Sequence, residues 1–534
     1  MAEDTLARLF WSRVERTPDR PAQQFKRGGA WQTIAWRDVG EVVREIATGL
    51  IALGLQKGDA VAILSQSRAE WVQADFAVFS AGCVTVPIYP SYPPELIAYV
   101  VNDSQARTLI VEDPSQLAKA LEARPKMERL EHIVVMSGYD APQPPEMVRT
   151  WETMRRLGRD HAEAHRATLA ERVAGGRPDD VATIVYTSGT TGRPKGAVLT
   201  HFNLTLSALS SMVEQRISGN DEVWYGGLPL FHISGMGGLF PYLLAGGTTV
   251  IAPLGGFDPK TAVNDLERYQ ITGACFVGPQ WRAIVELPDV RDRSYALRRV
   301  IWGTSQAIMP IIDRIRVTFP RAEIYNFFGQ TEMSPTTCVL KAADFEARRG
   351  SVGKPIVNVE ARVVDELMND VPQGSVGEIV YRGPTVMKEY WNMPEATDEV
   401  FRGGWFHSGD LCRQDEDGFL YVVDRKKDMI ISGGENIYSA EVEAAILRHP
   451  KVRDVAVIGV PHDRWGETPR AVVVPADTGD PPTEAELVEH CKQQMASYKK
   501  PTSFVVLDGD LPRNAMGKVT KPVLRERYGT PAAG

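Results

Sequence analysis

Short apolar, β-branched runs recur along this chain, with helical stretches between them. Residues 59–64 (DAVAIL), 83–89 (CVTVPIY), 108–113 (TLIVED) and 132–136 (HIVVM) come first. Residues 181–187 (VATIVYT), 248–253 (TTVIAP), 273–278 (GACFVG) and 298–303 (RRVIWG) follow. The helical character between strands is plainest at 202–215, FNLTLSALSSMVEQ. Strands alternating with helices predict parallel sheets in an α/β architecture.

At 534 residues the chain is too long for one core, and three or more structural units are expected. The pattern changes after about residue 350. There VEARVVD, GEIVYRG and GFLYVVDR read as short strands joined by Gly- and Asp-rich turns, a more antiparallel unit. Past DRKKD comes a small α+β pattern, with helices at SAEVEAAILRH and EAELVEHCKQQM and strands at VAVIGV, RAVVVPA and SFVVLD. The expected layout is a large domain of mixed α/β sheets over 1–427, β-rich from about 350 to 426, and a small α+β domain over 428–534. The charged segment at Lys427 suits a linker. There is no internal repeat and no long low-complexity stretch.

A net charge of −8 argues against nucleic acid as a partner, because such binders carry a basic footprint. Cys83, Cys275, Cys338, Cys412 and Cys491 are scattered, with no CxxC pair, which predicts a reducing, cytoplasmic setting. The N-terminus lacks the apolar core of a secretory signal. It reads as a helix capped by Asp4 or Thr5, with Leu6, Phe10 and Val14 on one face, ending before Pro18. From Trp224 to Phe257 there is no charged residue, but the run holds nine Gly together with Pro229, Pro241 and Pro253. A buried helix and strand near a ligand fit it better than a transmembrane span.

Residues 186–198, YTSGTTGRPKGAV, follow a strand and are read as preceding a helix. Glycines let backbone N–H groups approach an anion, hydroxyls add donors and Lys195 adds charge, so the segment reads as a phosphate-holding loop. The competing reading is an ordinary surface turn. A P-loop is excluded, since Pro194 interrupts the required spacing. In 325–332, YNFFGQTE, aromatics suit a flat base, Thr331 a phosphate and Glu332 a Mg²⁺ ion. GWFHSGD places Asp410 after a Gly turn, where a carboxylate suits ribose hydroxyls. Residues 424–443 set Arg425 close to a Gly pair, and NAMGKVTK puts Lys518 in a polar loop.

As an ordered set, these segments resemble the adenylate-forming acyl-CoA synthetases, most of all the bacterial fatty-acid–CoA ligases, over nearly the whole chain. The resemblance implies that a carboxylate attacks the α-phosphate of ATP to give acyl-AMP and pyrophosphate, and that the CoA thiol then displaces AMP. It implies ATP, Mg²⁺ and CoA as cosubstrates. Thr187, Ser188, Gly189, Thr190, Thr191, Gly192 and Lys195 would wrap the β- and γ-phosphates. Thr331 would touch the α-phosphate and Glu332 would bind the metal. Asn326, Phe327, Phe328 and Gly329 would border the nucleotide. Phe328 stands where relatives commonly have Tyr, which keeps stacking and loses a hydroxyl. Gly303, Thr304, Ser305, Gln306 and Ala307 would line the adenine and the acyl end. Asp410 would take the ribose hydroxyls with Arg425 nearby, and Lys518 would bridge carboxylate and α-phosphate. The family also rotates a mobile C-terminal domain about the position of Lys427, bringing Gly433, Gly434 and Glu435 to a pantetheine tunnel. The rival reading of Gly433–Gly434 is a plain hairpin turn.

The segment 227–240, GLPLFHISGMGGLF, matches the acyl pocket of that family. Amino-acid-activating relatives carry an Asp in this segment; here His232 stands in its place, between Phe231 and Ile233. A substrate ammonium would be buried unpaired. Met236, Phe240 and Trp302 add apolar bulk, so Phe231, His232, Ile233, Met236, Trp302 and Gly303 are the expected lining. His232 reads as a gate or orienting group, or else as a packed side chain. The expected substrate is a medium- or long-chain fatty acid; an aryl acid, or a carrier protein as acceptor, is the alternative. A hydrolase reading fails because Ala307 breaks G-x-S-x-G. A non-catalytic sensor sits poorly with intact Glu332, Asp410, Arg425 and Lys518, and luciferase-like oxidation is left to a light-emission assay.

Overall fold

Strands Ala60–Leu64, Val84–Ile88 and Thr108–Val111 bury every residue in the computed structural model. Such unbroken apolar runs suit parallel strands covered on both faces. The structure describes residues 4–141, 145–187, 193–252, 257–303, 309–513 and 518–530. They divide into two units, Met1–Glu360 with Tyr381–Phe406, and Ala361–Val380 with His407–Gly534.

The first unit carries two large sheets. One has the strand order Glu389–Tyr390, Lys195–Thr200, Val181–Thr187, Val84–Ile88, Ala60–Leu64, Thr108–Val111, His132–Val135 and Val148–Thr150. It is parallel from Val181–Thr187 to Val148–Thr150 and antiparallel at the other edge. The other sheet centres on parallel strands Pro21–Arg27, Thr248–Ile251, Val223–Gly226, Gly273–Phe276, Arg299–Gly303 and Glu323–Gly329. Antiparallel strands close both of its edges. The helix Ala69–Ser80 is buried at all twelve positions, and its polar members Glu70, Gln73 and Asp75 meet Arg68, Gln23 and Thr85 inside.

Residues 186–198 do precede a helix, but an unexpected strand intervenes: Lys195–Thr200 returns antiparallel to Val181–Thr187, with Thr187 opposite Lys195. The unbroken apolar run in KGAVLT, buried from Gly196 to Thr200, favours a strand covered on both faces. The helix His201–Gln215 starts only at the capping box of Thr200 and Asn203. The N-terminal helix is Leu6–Arg16, capped by Thr5, with Leu6 and Phe10 buried. The uncharged stretch forms the helix Ile233–Ala245 and the strand Thr248–Ile251. No described helix is long and apolar enough to cross a membrane.

The second unit holds a four-stranded sheet, ordered Glu360–Val364, Val376–Arg382, Phe406–Gln414 and Leu420–Arg425. A five-stranded sheet is built on the long antiparallel pair Val452–His462 and Gly466–Pro475. Alternation sorts its two faces. Val455, Val457, Ala471 and Val473 pack with the helices Ser439–Ile446 and Glu484–Gln494. Ala456, Ile458, Val472 and Val474 pack with Leu524 of the helix Lys521–Tyr528.

Candidate active site

In the first unit, sheet pairing collects groups that are far apart in the chain. Asn203 Nδ2 donates to the carbonyls of Pro384 and Val386, and the Met387 amide donates to the Glu332 carbonyl at 2.7 Å. The chain then pairs as Glu389–Tyr390 on Lys195–Thr200, with Tyr390 opposite Ala197. Tyr390 thus lies between two predicted site residues. Its hydroxyl donates to Glu332 Oε1 at 2.9 Å, and Lys195 Nζ stands 5.2 Å from its ring centre. The Thr187 hydroxyl donates to the Lys195 carbonyl at 3.5 Å.

Thr331 and Glu332 open a short 3₁₀ turn after the strand Glu323–Gly329, and both are buried. Asn326 is buried, Phe327 and Phe328 are half-buried and Gly329 is exposed. Gly303 pairs in register with Phe327, which sets the start of the 303–307 segment beside the 325–332 segment. Ser188, Gly189, Thr190, Thr191 and Gly192, with Thr304, Ser305, Gln306 and Ala307, lie outside the described residues.

Among the described residues no group of three or more His, Cys, Asp or Glu gathers to hold a metal. A single carboxylate beside phosphates is what Mg²⁺ needs, since phosphate and water oxygens complete its shell. Tyr390 takes one of the roughly four lone-pair sites of Glu332 and leaves capacity for such an ion. The donor set therefore fits Mg²⁺ at Glu332.

His232 is half-buried and caps the helix Ile233–Ala245. Its Nδ1 accepts the Ser234 amide at 3.1 Å and lies 2.6 Å from Ser234 Oγ, so the neutral ring carries its proton on Nε2. Tyr89 packs 5.1 Å from both Tyr92 and Phe231 and 6.4 Å from His232, measured between ring centres. Ile233 and Met236 are buried in the same helix, and Gly237 packs directly on Pro335, just after the Thr331 turn. This brings the predicted acyl segment to the predicted nucleotide segment.

Trp302 does not join this group. The helix Ile233–Ala245 lies on the sheet face that carries Trp224, shown by Gly238 against Trp224 and by the Trp224–Tyr242 stack. Register places Trp224, Gly273, Arg299 and, by alternation, Ile301 and Gly303 on that face. Trp302 aligns with Phe276 on the opposite face and is fully buried.

In the second unit, Arg425 Nε meets Asp410 Oδ1 at 2.6 Å, and the two residues are directly opposed in an antiparallel pair. Asp410 is almost fully buried. Gly409 before it has φ +71°, a conformation that glycine adopts without strain. Lys427 is exposed at the surface. Gly433 and Gly434, at φ +60° and +89°, form the two-residue turn between Ile430–Ser432 and Glu435–Ile437. A side chain at Gly433 would run into the Trp465 ring. Glu435 is exposed. Lys518 is exposed, and the chain just after it is fixed by a bridge between Val519 and Arg513.

Two arrangements around these residues were not anticipated. Asp424 accepts the backbone amide of Ser439 and, at 2.9 Å, its hydroxyl, so it caps the helix Ser439–Ile446 from a distant strand. Lys521 Nζ reaches Ser439 Oγ at 2.6 Å and Glu443 at 2.8 Å. On the same helix as Lys521, Arg525 pairs with Asp428 at 2.7 Å. The second arrangement centres on Glu378, which takes His407 Nδ1 at 3.1 Å, the Gly409 amide at 3.1 Å and Lys426 Nζ at 3.2 Å.

The fold, a large sheet-rich unit and a smaller α+β unit, and the family matches that follow give the class of a nucleotide-dependent enzyme. The AMP-binding enzyme family matches residues 10–391, and the AMP-binding enzyme C-terminal domain matches residues 441–518. A feruloyl-CoA synthase of an Amycolatopsis species is 37% identical over 511 residues, 95% of this chain and 96% of its own length. A long-chain-fatty-acid–CoA ligase of Escherichia coli is 30% identical over 539 residues, 98% of this chain and 94% of its own length. The o-succinylbenzoate CoA synthetase of Bacillus subtilis, solved with its acyl-adenylate intermediate, superposes with a TM-score of 0.81 at 29% identity, covering 98% of this chain and 99% of that one. The chain belongs to the AMP-binding enzyme family, among the adenylate-forming acyl-CoA synthetases. It is an AMP-forming acid–thiol ligase that works with ATP, Mg²⁺ and CoA.

Proposed function

We propose that this ligase activates an aryl carboxylic acid, with a medium- or long-chain fatty acid as the second reading. The observation that carries the first is the ring cluster of Tyr89, Tyr92, Phe231 and His232 beside the helix Ile233–Ala245, which suits a flat, polarisable acid. The greater identity to the feruloyl-CoA synthase than to the fatty-acid ligase supports the same order. The buried Met236 and Phe240 keep the aliphatic reading in play.

In the chemistry we assign, the acid's carboxylate oxygen attacks the α-phosphorus of ATP and pyrophosphate leaves. The CoA sulfur then attacks the acyl carbon and AMP leaves. Such phosphoryl chemistry asks the protein for positioning and charge rather than covalent help. Lys195, beside the phosphate segment, and Lys518 supply positive charge. Thr331 donates to the α-phosphate. Glu332 would hold Mg²⁺, which would supply charge neutralisation at the phosphates. Asp410, kept in place by Arg425, takes the ribose hydroxyls. His232, occupied as a helix cap, orients the acid rather than moving protons. Lys427 is the pivot of the segment 428–534. The Gly433–Gly434 turn, bare of side chains, borders the pantetheine arm.

The test incubates the protein with ATP, Mg²⁺, CoA and a panel of benzoates, cinnamates and straight-chain acids, and identifies thioesters by mass. Cinnamates or benzoates are expected to give the highest kcat/KM. A steady climb from butyrate to dodecanoate, at up to about 0.8 kcal/mol per CH₂, with poor aryl turnover, would reverse the order of the two readings.

A further inference from the structure

We propose that Glu378 is a positioning residue for nucleotide binding: it fixes the backbone that aims Asp410, and with it the Asp410–Arg425 pair, at the ribose. The inference rests on the reading above that this pair takes the ribose hydroxyls.

Glu378 lies in the strand Val376–Arg382, between Gly377 and Ile379, at a position 8% exposed. An acid so placed in an apolar strand is costly unless its lone pairs are taken. Three donors take them, and all three flank the nucleotide pair. His407 and the Gly409 amide belong to the strand that carries Asp410. Lys426 directly follows Arg425. The neighbouring Ile379 carbonyl accepts the Ser408 hydroxyl, whose oxygen in turn accepts the Asp410 amide at 3.0 Å. The Lys426 amide closes the arrangement by donating to the Gly409 carbonyl at 2.9 Å.

One strand thus grips the residue before Asp410 and the residue after Arg425 through a single carboxylate. Gly409 sits at φ +71°, so the direction in which Asp410 leaves the turn depends on what holds the Gly409 amide. Burial pushes the Glu378 carboxyl upward, but His407 and Lys426 together hold it below the usual value, so it is an anion at neutral pH. An uncharged amide in its place keeps the shape and weakens all three bonds.

The test compares Glu378→Gln with wild type in pyrophosphate release from ATP, 2′-deoxy-ATP and 3′-deoxy-ATP, with thermal melting to show that the variant folds. With ATP, kcat/KM is expected to fall roughly tenfold, the scale of a lost charge-assisted hydrogen bond, mainly through KM. With at least one deoxy analogue the fall is expected to be slight, because the contact being aimed is already missing. The preference for ATP over that analogue therefore shrinks. Parallel losses with all three nucleotides, or no loss, overturn the inference. Lys426→Gln removes one donor from an exposed position and covers the case in which Glu378→Gln fails to fold; an unchanged ribose preference there also overturns it. Asp410→Asn separates the layers. If it leaves the ribose preference intact, the reading of Asp410 fails; if it abolishes the preference while Glu378→Gln does not, only the role of Glu378 fails.

Discussion

The Tyr390 hydroxyl donates to Glu332 across 2.9 Å while Lys195 stands over the same ring, so one tyrosine links the proposed metal carboxylate to the base of the phosphate segment. Removing that hydroxyl leaves Glu332 free to turn. Tyr390→Phe is expected to raise the Mg²⁺ concentration for half-maximal adenylation by roughly three- to tenfold, the worth of one ordinary hydrogen bond. Glu332→Gln should raise it further, because a neutral amide is a poor ligand for a hard cation, and extra Mg²⁺ should restore part of the rate. A Mg²⁺ titration of pyrophosphate release checks both variants. Curves that superpose on wild type would place the metal on another residue.

Lys518 and Gly433 are assigned to different half-reactions, and their variants should separate. Lys518→Ala is expected to slow acyl-AMP formation by about 3–4 kcal/mol, if it resembles the loss of one key electrostatic donor. It should still convert supplied acyl-AMP and CoA to thioester. Gly433→Ala pushes a methyl into Trp465 at a positive-φ position, so it should distort the hairpin, slow the thioester step and let acyl-AMP accumulate. Single-turnover kinetics of each half decide the matter. Equal slowing of both halves by both variants counts against alternating use of the two residues.

Asp75 gives a pH dependence with a definite sign. It is fully buried, with Thr85 Oγ1 donating to its Oδ1 at 2.7 Å, and burial raises its pKa from 3.8 to about 7. The folded value lies above the unfolded one, so the stability it lends is complete below pH 3.8 and is lost as pH rises toward 7. The slope reaches at most about 1.4 kcal/mol per pH unit. Asp75→Asn should flatten the melting temperature over that window relative to wild type. Identical pH profiles for the two proteins would remove Asp75 as the source.

Asp424→Ala takes the cap from the helix Ser439–Ile446 and leaves Lys521 facing Ser439 without the carboxylate behind it. A loss of about 1–2 kcal/mol in unfolding free energy is expected, the upper range for a lost helix cap. Denaturant titration measures it, and a change within a few tenths would mean that solvent replaces the cap.

Much of this architecture is legible in the sequence because short apolar runs, set between helical stretches, mark its buried strands. The helix Ile233–Ala245 and the strand Thr248–Ile251 follow from the glycine- and proline-broken, uncharged run. Asp410 and Arg425 stand in separate motifs, yet register makes them a pair. What escaped depends on long-range pairing. Tyr390 meets Glu332 from 58 positions away, on a two-residue strand too short to show any period. Trp302 was placed with the acyl lining, but a strand turns each successive side chain to the other face, so Gly303 lies toward Met236's helix and Trp302 away from it. Glu378 did leave a signal: an acid inside the apolar run GEIVY asks for buried partners, though not which ones.

Asp424 precedes Lys427 in the chain, while Ser439, which donates to its carboxylate, and Lys521 and Glu443, which join through Ser439 and each other, all follow it. If the chain turns at Lys427 as proposed, the helix Ser439–Ile446 leaves its cap behind. A single backbone proton then becomes a clock hand. The Ser439 amide is sheltered in one orientation and open to deuterium in the other, so its exchange rate, followed through the two half-reactions, would time the movement without any label added to the protein.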